Sequence, residues 1–414
     1  MKMTIIQKFS RVLIGIAISS LCVSVTYAEA PDTEKMWEII QQQQKMIEQL
    51  QQKLEATEQK AAVTEQKVEE TAEEIEAAAE AIEVAQASGT AQSFIDKTSV
   101  GGYGELHYNS KDGDDSIDFH RFVLYFGHEF NENIRFFSEL ELEHAFLSDS
   151  GSSNGEVELE QAWIEMDIND SHRIRAGVDV LPIGIINLTH EPNTFYGVER
   201  NEVEKRIIPT TWWEAGVGLN GELAPGWNYD VRLHSGLSTT SSIRSGRQKV
   251  AKANADHPAT TASLRYTGIP GLEVGGAFNY QSDITAGATT ASNSATLFEG
   301  HIDWKHNSGF GLRALYAQWD LDTQLSIAGD DTQYGYYIEP AYRFSLTVIP
   351  GEFGVFARWS ELDYGDTKEE ERIGVGFNYW PVEEVAFKFD YSIVDDTDAN
   401  TTSNSFNLGL GYQF

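Results

Sequence analysis

Residues 134–143 read Ile-Arg-Phe-Phe-Ser-Glu-Leu-Glu-Leu-Glu, and they decide the fold because apolar and charged side chains alternate along them. In an extended chain, successive side chains point to opposite faces. Ile134, Leu140 and Leu142 therefore share one face, and Arg135 and Glu139 share the other. The same alternation returns at 161–168 and 173–180. Each run is about 9–12 residues long, which is enough to cross a lipid bilayer as a tilted strand.

The connections between these runs alternate in length. Seven are short, such as 131–133 and 169–171, and eight are long, at 109–116, 148–155, 182–211, 237–258, 282–295, 320–333, 362–368 and 394–403. Short turns at one end and long loops at the other are typical of transmembrane barrels. Residues 99–414 are therefore predicted to form an all-β transmembrane antiparallel β-barrel of about 16 strands, with an aqueous interior rather than packed side chains. A soluble β-sandwich or solenoid is the alternative.

The chain ends in an alternating strand, residues 406–414, whose last residue is Phe414. This ending resembles the last-strand signal of bacterial outer-membrane proteins. We therefore take Phe414 as an assembly signal and expect the barrel in the outer membrane of a Gram-negative-type cell, in contact with lipid and lipopolysaccharide.

Two segments precede the barrel. Basic residues followed by the apolar run 12–25 and a small-residue site predict a signal peptide at 1–28, with a membrane anchor helix as the alternative. Residues 31–90 contain Ile40, Ile47 and Leu54 at seven-residue spacing within a longer heptad series, which predicts an α-helical coiled coil in the periplasm. The alternative is a solitary helix.

Composition excludes several functions. The net charge of −34 argues against a nucleic-acid partner, and one cysteine excludes cysteine-based zinc or iron–sulfur sites. His301 and His306 would leave a strand on opposite faces, so they do not predict a metal site with Asp303. No catalytic constellation can be placed. The chain is expected to be no enzyme and to need no cofactor or metal.

The longest connection, 182–211, holds three prolines, aromatic residues and both charge signs. A loop of this length in a compact protein is usually functional. We predict that it narrows the pore. Its candidate constriction residues are His190, Glu191, Tyr196, Glu199, Arg200, Glu202, Glu204, Lys205 and Arg206.

The strand followed by Leu181-Pro182-Ile183-Gly184 and then by Val198-Glu199-Arg200-Asn201 resembles the phosphate-selective porin O/P superfamily. The helical segment ahead of the barrel also resembles siderophore-uptake porins of the LbtU type. Together the resemblances span about residues 36–414. They imply an outer-membrane diffusion channel that is commonly a homotrimer.

The negative charge of the barrel region is the opposite of what a phosphate-selective pore needs. Residues 99–414 carry about −27, a field that favours cations. Opposite charges facing across the pore would create a transverse field, and ion pairs that fix the loop to the wall are the alternative. The residues expected to face the lumen are Arg121, Arg135, Glu139, Glu141, Glu143, Glu165, Arg173, Arg175 and Asp179.

The sequence thus predicts passive diffusion of small hydrophilic solutes through a non-specific or cation-preferring porin. A porin for siderophores or ferric complexes is the first alternative. A structural tether between the outer membrane and the cell wall, with the coiled coil contacting peptidoglycan, is the second.

Overall fold

A computed structural model describes residues 94–145, 155–289, 292–322, 331–364, 369–397 and 399–414, together with Gln41, Gln44 and Lys45. The expected barrel is confirmed, because sixteen antiparallel strands form one closed sheet. The strands are β1 Thr98–Lys111, β2 Asp114–Asn131, β3 Ile134–Glu143, β4 Val157–Asp167, β5 His172–Val180, β6 Trp213–Ala224, β7 Trp227–His234, β8 Ala259–Ile269, β9 Leu272–Gln281, β10 Ala295–Lys305, β11 Phe310–Leu321, β12 Thr332–Leu346, β13 Ile349–Asp363, β14 Glu369–Val382, β15 Val385–Asp396 and β16 Thr401–Gln413.

The last strand closes the barrel against the first. Tyr103 pairs with Gln413, and the backbone amides of Gly102 and Phe414 each donate to the other's carbonyl at 2.9 Å. Every strand therefore has two neighbours, so no row of unpaired backbone groups faces lipid. The strands are 8 to 18 residues long.

The alternation of short and long connections is as expected, with two exceptions. The predicted long loop at 394–403 has only the four residues 397–400 between its strands, no more than the short connections 168–171 and 306–309. The predicted long loop at 109–116 is instead a two-residue turn of Asp112 and Gly113, whose φ angles are +52° and +97°. Two positive φ values in a two-residue hairpin match the twist of the flanking strands, and Asp-Gly favours such a turn.

The outer face of the sheet is apolar. Leu140, Ile164 and Val231 are each more than 40% exposed, although they lie in the middle of long strands. Such residues form the band that contacts hydrocarbon in a transmembrane barrel. None of the helices among the described residues is long and apolar enough to span a membrane.

The interior is less uniform than the sequence predicts, because part of it is filled by an apolar core. This core joins the connection after β5 to inward-facing residues of β9–β13, including Trp212, Trp319, Tyr337 and Leu297, all of which are at most 1% exposed. The expectation of an interior without packed side chains is therefore wrong on this side. Long loops carry apolar residues of their own and use the barrel wall as the partner that buries them.

The signal peptide predicted at 1–28 and the coiled coil predicted at 31–90 lie outside the described residues, apart from Gln41, Gln44 and Lys45.

Candidate functional site

The connection between β5 and β6, residues 181–212, is termed here the inner loop. It carries one short helix, α1 (Glu202–Arg206), which begins after Asn201. The Asn201 side chain accepts from the Glu204 amide at 2.9 Å and caps the helix. Local contacts thus define where this helix begins.

Glu204 holds the inner loop together from within. Its side chain has no exposed surface, and one carboxylate oxygen accepts from the amides of Ile185 and Ile186 at 2.9 and 2.6 Å. The other oxygen accepts from the Tyr337 hydroxyl of β12 at 2.7 Å. Glu204 was predicted as a constriction residue, but its carboxylate meets no open space.

Further bonds fix the inner loop to the wall opposite its own strands. The Val198 amide donates to Asp390 of β15 at 2.6 Å. Asn378 of β14 and Arg358 of β13 donate to the carbonyls of Phe195 and Tyr196 at 3.1 and 2.9 Å. In a ring of sixteen strands, β13 and β14 lie across from β5 and β6. The inner loop therefore crosses the barrel interior.

Cavities lie on both sides of the inner loop. Two of them, of about 350 and 460 Å³, are lined by its residues 199, 200 and 205 and lie toward the long connections. One of about 380 Å³ is lined by its residues 193–196 and by the short turn near His306. Another, of about 340 Å³, adjoins the short turn near Asp170. The inner loop thus stands between the space at one end of the barrel and the space at the other.

The 350 Å³ cavity, termed here the charged cavity, has an acidic wall and basic loops. Its lining includes seven carboxylates and five lysine or arginine side chains. The carboxylates of the strand wall are Glu105, Glu141, Glu143, Glu158 and Glu160, with Glu156 just before β4. The cations all come from loops: Arg200, Lys205, Arg244, Arg247 and Lys249. Opposite charges thus meet around one space.

Three of these cations were not identified from the sequence. Arg244, Arg247 and Lys249 belong to the β7–β8 connection, which was predicted as a long loop without a functional role. The Arg244 guanidinium donates to the carbonyls of Lys205 and Thr210 at 2.8 and 2.5 Å. The β7–β8 connection is therefore hydrogen-bonded to the inner loop. The three basic residues between 244 and 249 were the available sequence signal.

Three arginines that line this cavity make no direct ion pair in the part of the chain that the structure describes. Among the described residues, no carboxylate oxygen is within 4 Å of a guanidinium nitrogen of Arg200, Arg244 or Arg247. Burial and the neighbouring Arg247 and Arg200 lower the pKa of Arg244. Burial is the larger of these causes, and the part due to the neighbouring arginines is one that a bound anion would relieve.

Glu160 was missed because a β-bulge changes the alternation. Glu139 pairs with Gln161 and Leu140 with Leu159, so Glu160 has no partner in β3. A bulge inserts one extra residue and re-aims its side chain. Glu160 is 2% exposed and lies among interior groups, although it shares sequence parity with the outward-facing Ile164.

The remaining predicted constriction residues have differing contacts. Glu199 accepts from His107 at 3.0 Å and from Asn109 at 3.1 Å. Burial would raise the pKa of Glu199, but the hydrogen bond and charge of His107 outweigh it and hold that pKa well below its usual range. Tyr196 packs on Phe356 and Trp380.

Glu202 pairs with Arg206 at 2.6 Å within α1, and both line the 460 Å³ cavity. The Glu191 carbonyl accepts from the Thr194 hydroxyl at 2.8 Å, which closes a turn. His190 is buried against the wall, with its ring nitrogen Nε2 3.4 Å from Glu139.

Most of the predicted lumen charges are neighbours on one wall rather than partners across a pore. Glu165 pairs with Arg135 at 2.8 Å and with Arg175 at 2.7 Å, and Arg175 continues to Asp179 at 2.8 Å. Arg173 pairs with Asp167 at 3.1 Å. These pairs neutralise each other along β3–β5, so this set does not supply the transverse arrangement expected from the sequence.

The other predicted lumen residues lie nearer the inner loop. Arg121 is fully buried, donates to Glu105 at 2.5 Å and also donates to the His190 carbonyl at 2.6 Å. Glu139 and Glu141 are buried beside it, and Glu143 lines the charged cavity.

The structure also brings together side chains that could ligate a metal ion. His301 lies between Glu299 and Glu273, at 2.7 and 3.1 Å, whereas His306 bonds Ser308 at the next short turn. Among the described residues, three other groups have ligand atoms within 4.8 Å of one another. They are Asp118, His120 and His144; Glu139, Glu160 and His190; and Glu143, Glu156 and Glu158.

Comparison with known proteins agrees with this architecture. The profile of the family described as phosphate-selective porin O and P matches residues 98–414. A protein of Aquifex aeolicus (strain VF5), described as uncharacterized, is 31% identical over 336 residues, which cover 72% of this chain and 76% of that protein.

Two solved structures share the fold. The anion-selective porin of Comamonas acidovorans has a TM-score of 0.53 and 11% identity, covering 77% of this chain and 99% of that one. The trimer form of OmpT, an outer-membrane protein of Vibrio cholerae, has a TM-score of 0.51 and 13% identity, covering 77% and 100%.

Proposed function

The chain belongs to the phosphate-selective porin O and P family, and from that premise we propose that it is an outer-membrane porin for passive diffusion of small hydrophilic solutes, with a preference for cations. The observation that carries this proposal is the inner loop, which crosses a closed barrel and has cavities on both sides. Passage of this kind needs no covalent chemistry. Pore width and the field of the lining residues determine which solutes pass.

The proposed constriction is formed by Glu199, Arg200 and Lys205 of the inner loop together with the acidic wall of the charged cavity. The cation preference is supported by the net charge of about −27 over residues 99–414 and by the excess of carboxylates in that cavity. A negative lumen concentrates cations and repels anions. A cation preference would differ from the phosphate selectivity that the family is named for.

Anion passage is the second candidate, and a specific observation favours it. Arg200, Arg244 and Arg247 line the charged cavity, and none of them has a carboxylate oxygen of the described residues within 4 Å. The comparison with an anion-selective porin concerns the fold alone. Uptake of a siderophore or ferric complex is the third candidate and rests on the sequence resemblance.

We further propose a homotrimer, for which the trimer form of a porin with the same fold is the support. Contact with lipopolysaccharide would involve the outer loops, and contact with peptidoglycan the predicted coiled coil.

Conductance of the purified protein in planar bilayers tests the three candidates together. A reversal potential in a KCl gradient that shows cation preference, with current proportional to voltage, supports the first. Anion preference with block by phosphate supports the second and overturns the first. Saturable block by a ferric siderophore at micromolar concentration supports the third. Absence of any channel overturns the porin function.

A further inference from the structure

Three buried side chains converge where the inner loop meets the wall. Nε2 of His190 lies 3.4 Å from Oε1 of Glu139 on β3 and 3.5 Å from Oε2 of Glu160 on β4. The three residues are between 1% and 3% exposed. Glu160 also lines the charged cavity, which gives the group a route to the barrel interior.

The atoms that face one another have unused bonding capacity. Among the described residues, neither Nε2 of His190 nor Oε2 of Glu160 has a hydrogen-bond partner, and the same holds for Oε2 of the adjacent Glu141. Buried polar atoms are rarely left in this way, because an unmade bond costs free energy. Two such atoms only 3.5 Å apart, Nε2 of His190 and Oε2 of Glu160, indicate a missing common partner.

The spacing suits a metal ion. Zinc binds imidazole nitrogen and carboxylate oxygen at about 2.0–2.2 Å in tetrahedral geometry, which places neighbouring ligand atoms roughly 3.4 Å apart. The separations of 3.4 and 3.5 Å from Nε2 of His190 to Glu139 and Glu160 match that value.

The surrounding bonds orient the ligands as metal sites require. The other ring nitrogen of His190, Nδ1, lies 3.3 Å from the carbonyl of Asn187. A proton on Nδ1 would donate there and leave the Nε2 lone pair free. The two oxygens of Glu139 accept from the Tyr103 hydroxyl at 3.3 Å and from the Gln161 amide at 2.5 Å. Such outer contacts fix the tautomer and the ring direction.

Charge also favours a cation here. Four buried carboxylates lie close together, namely Glu105, Glu139, Glu141 and Glu160. Arg121 donates to Glu105 and to the His190 carbonyl, so its charge is already engaged on one side of the group. We propose that Glu139, Glu160 and His190 bind a divalent transition-metal ion of the Zn²⁺ class, which fastens the inner loop to β3 and β4.

A second histidine group provides an internal control. Nδ1 of His144 and Nδ1 of His120 lie 2.8 and 3.3 Å from the same oxygen of Asp118, and all three side chains are about 30% exposed. These contacts are already hydrogen bonds. This group has two histidines, whereas the proposed site has one, and spectroscopy distinguishes the two cases.

The test uses the full-length protein folded in detergent, stripped with a chelator and titrated with ZnCl₂ by calorimetry. We expect one tight site per chain that excess Mg²⁺ does not displace, because imidazole favours zinc over magnesium. His190→Asn and Glu160→Gln should each weaken zinc binding at least tenfold, and His144→Asn should leave it unchanged. X-ray absorption of the zinc-loaded wild type should show one imidazole and two or more oxygen ligands.

Several outcomes overturn the proposal. If the wild type binds no zinc, a proton on His190 is the occupant. If His144→Asn abolishes binding or the absorption spectrum shows two imidazoles, the metal lies at Asp118. Unchanged zinc binding in His190→Asn would also overturn the proposal. Heat-modifiable electrophoretic mobility reports folding of each variant. His301 with Glu299 and Glu273 would give the same spectrum, so loss of zinc binding in His301→Asn would also overturn the proposal.

Discussion

The backbone amide of Val198 donates to Oδ2 of Asp390 at 2.6 Å, although the two residues are 192 positions apart in the chain. Val198 belongs to the connection after β5, whereas Asp390 lies on β15, across the barrel. This one bond places the inner loop inside the cylinder rather than above it. A bond from a backbone amide to a buried carboxylate is among the stronger contacts that such a loop can make.

Removing this attachment should widen the channel. In Asp390→Ala, Val198 loses its acceptor, and the side chain of Asn407, which donates to the same carboxylate at 2.7 Å, loses one as well. We expect single-channel conductance to rise and to fluctuate more. Asp395→Ala, at an exposed position of the same strand, is the matched control. Equal conductance in wild type and Asp390→Ala would argue against an inner loop that limits the pore.

Glu204 should decide whether the inner loop resists proteolysis. Replacing it with alanine leaves the amides of Ile185 and Ile186 and the Tyr337 hydroxyl without their acceptor in a buried site, which costs about 1–3 kcal/mol for each unsatisfied group. We expect trypsin to cut Glu204→Ala after Lys205 or Arg206 and to leave the wild type intact there. Glu191→Ala is the control, since the turn at Glu191 uses its backbone carbonyl.

Lys249 should moderate the cation preference. Its ammonium group pairs with Glu156 at 2.5 Å and also with Glu158. In Lys249→Gln both carboxylates face the charged cavity uncompensated, so the reversal potential should move further toward cation selectivity, and more so at low salt because of screening. Lys252→Gln, an exposed position in the same connection, should leave selectivity unchanged. A shift toward anions would contradict the role given to the acidic wall.

Channel properties should depend on Glu199 only in strong acid. Its pKa is held below the usual glutamate range, so its stabilising bond with His107 is present above about pH 4.3, the ordinary glutamate value. That contribution is lost as the pH falls through the lower native value. Conductance measured from pH 7 downward should thus change through this group only below about pH 4. Glu199→Gln should lack that step, and a step that persists in it belongs to another group.

Deleting residues 31–90 distinguishes the channel function from the proposed role as a tether. The barrel strands begin at Thr98, so single-channel conductance should survive the deletion. If the predicted coiled coil joins the outer membrane to the cell wall, cells with the deletion should release more outer-membrane vesicles. Normal vesicle release would contradict the hypothesis that the coiled coil joins the outer membrane to the cell wall.

Strand number and location were predictable because they depend on local pattern. Alternation along 134–143 and the ordering of short and long connections are properties of neighbouring residues, and they led to sixteen strands. The Asp112–Gly113 turn was missed because polar residues around it extend the apparent loop, although the two φ angles required there are those that Asp-Gly readily adopts.

The candidate site was less predictable. The inner loop was identified from its length, but Glu204 was taken for a pore residue because sequence does not distinguish a charge facing water from one that accepts four bonds in a buried site. Glu160 was missed because a single extra residue reverses the side-chain alternation. Arg244 and Arg247 were passed over because nothing local to them indicates which wall their loop meets.

The sequence by itself determined a closed antiparallel barrel with an apolar outside, because side-chain alternation and the need to pair every backbone group act over a few residues at a time. Only the tertiary structure decided what fills that barrel. Val198 meets Asp390, and His190 meets Glu139 and Glu160, through contacts between loops and distant strands. Such contacts depend on where the sheet closes and where its bulges fall, and no local pattern records that.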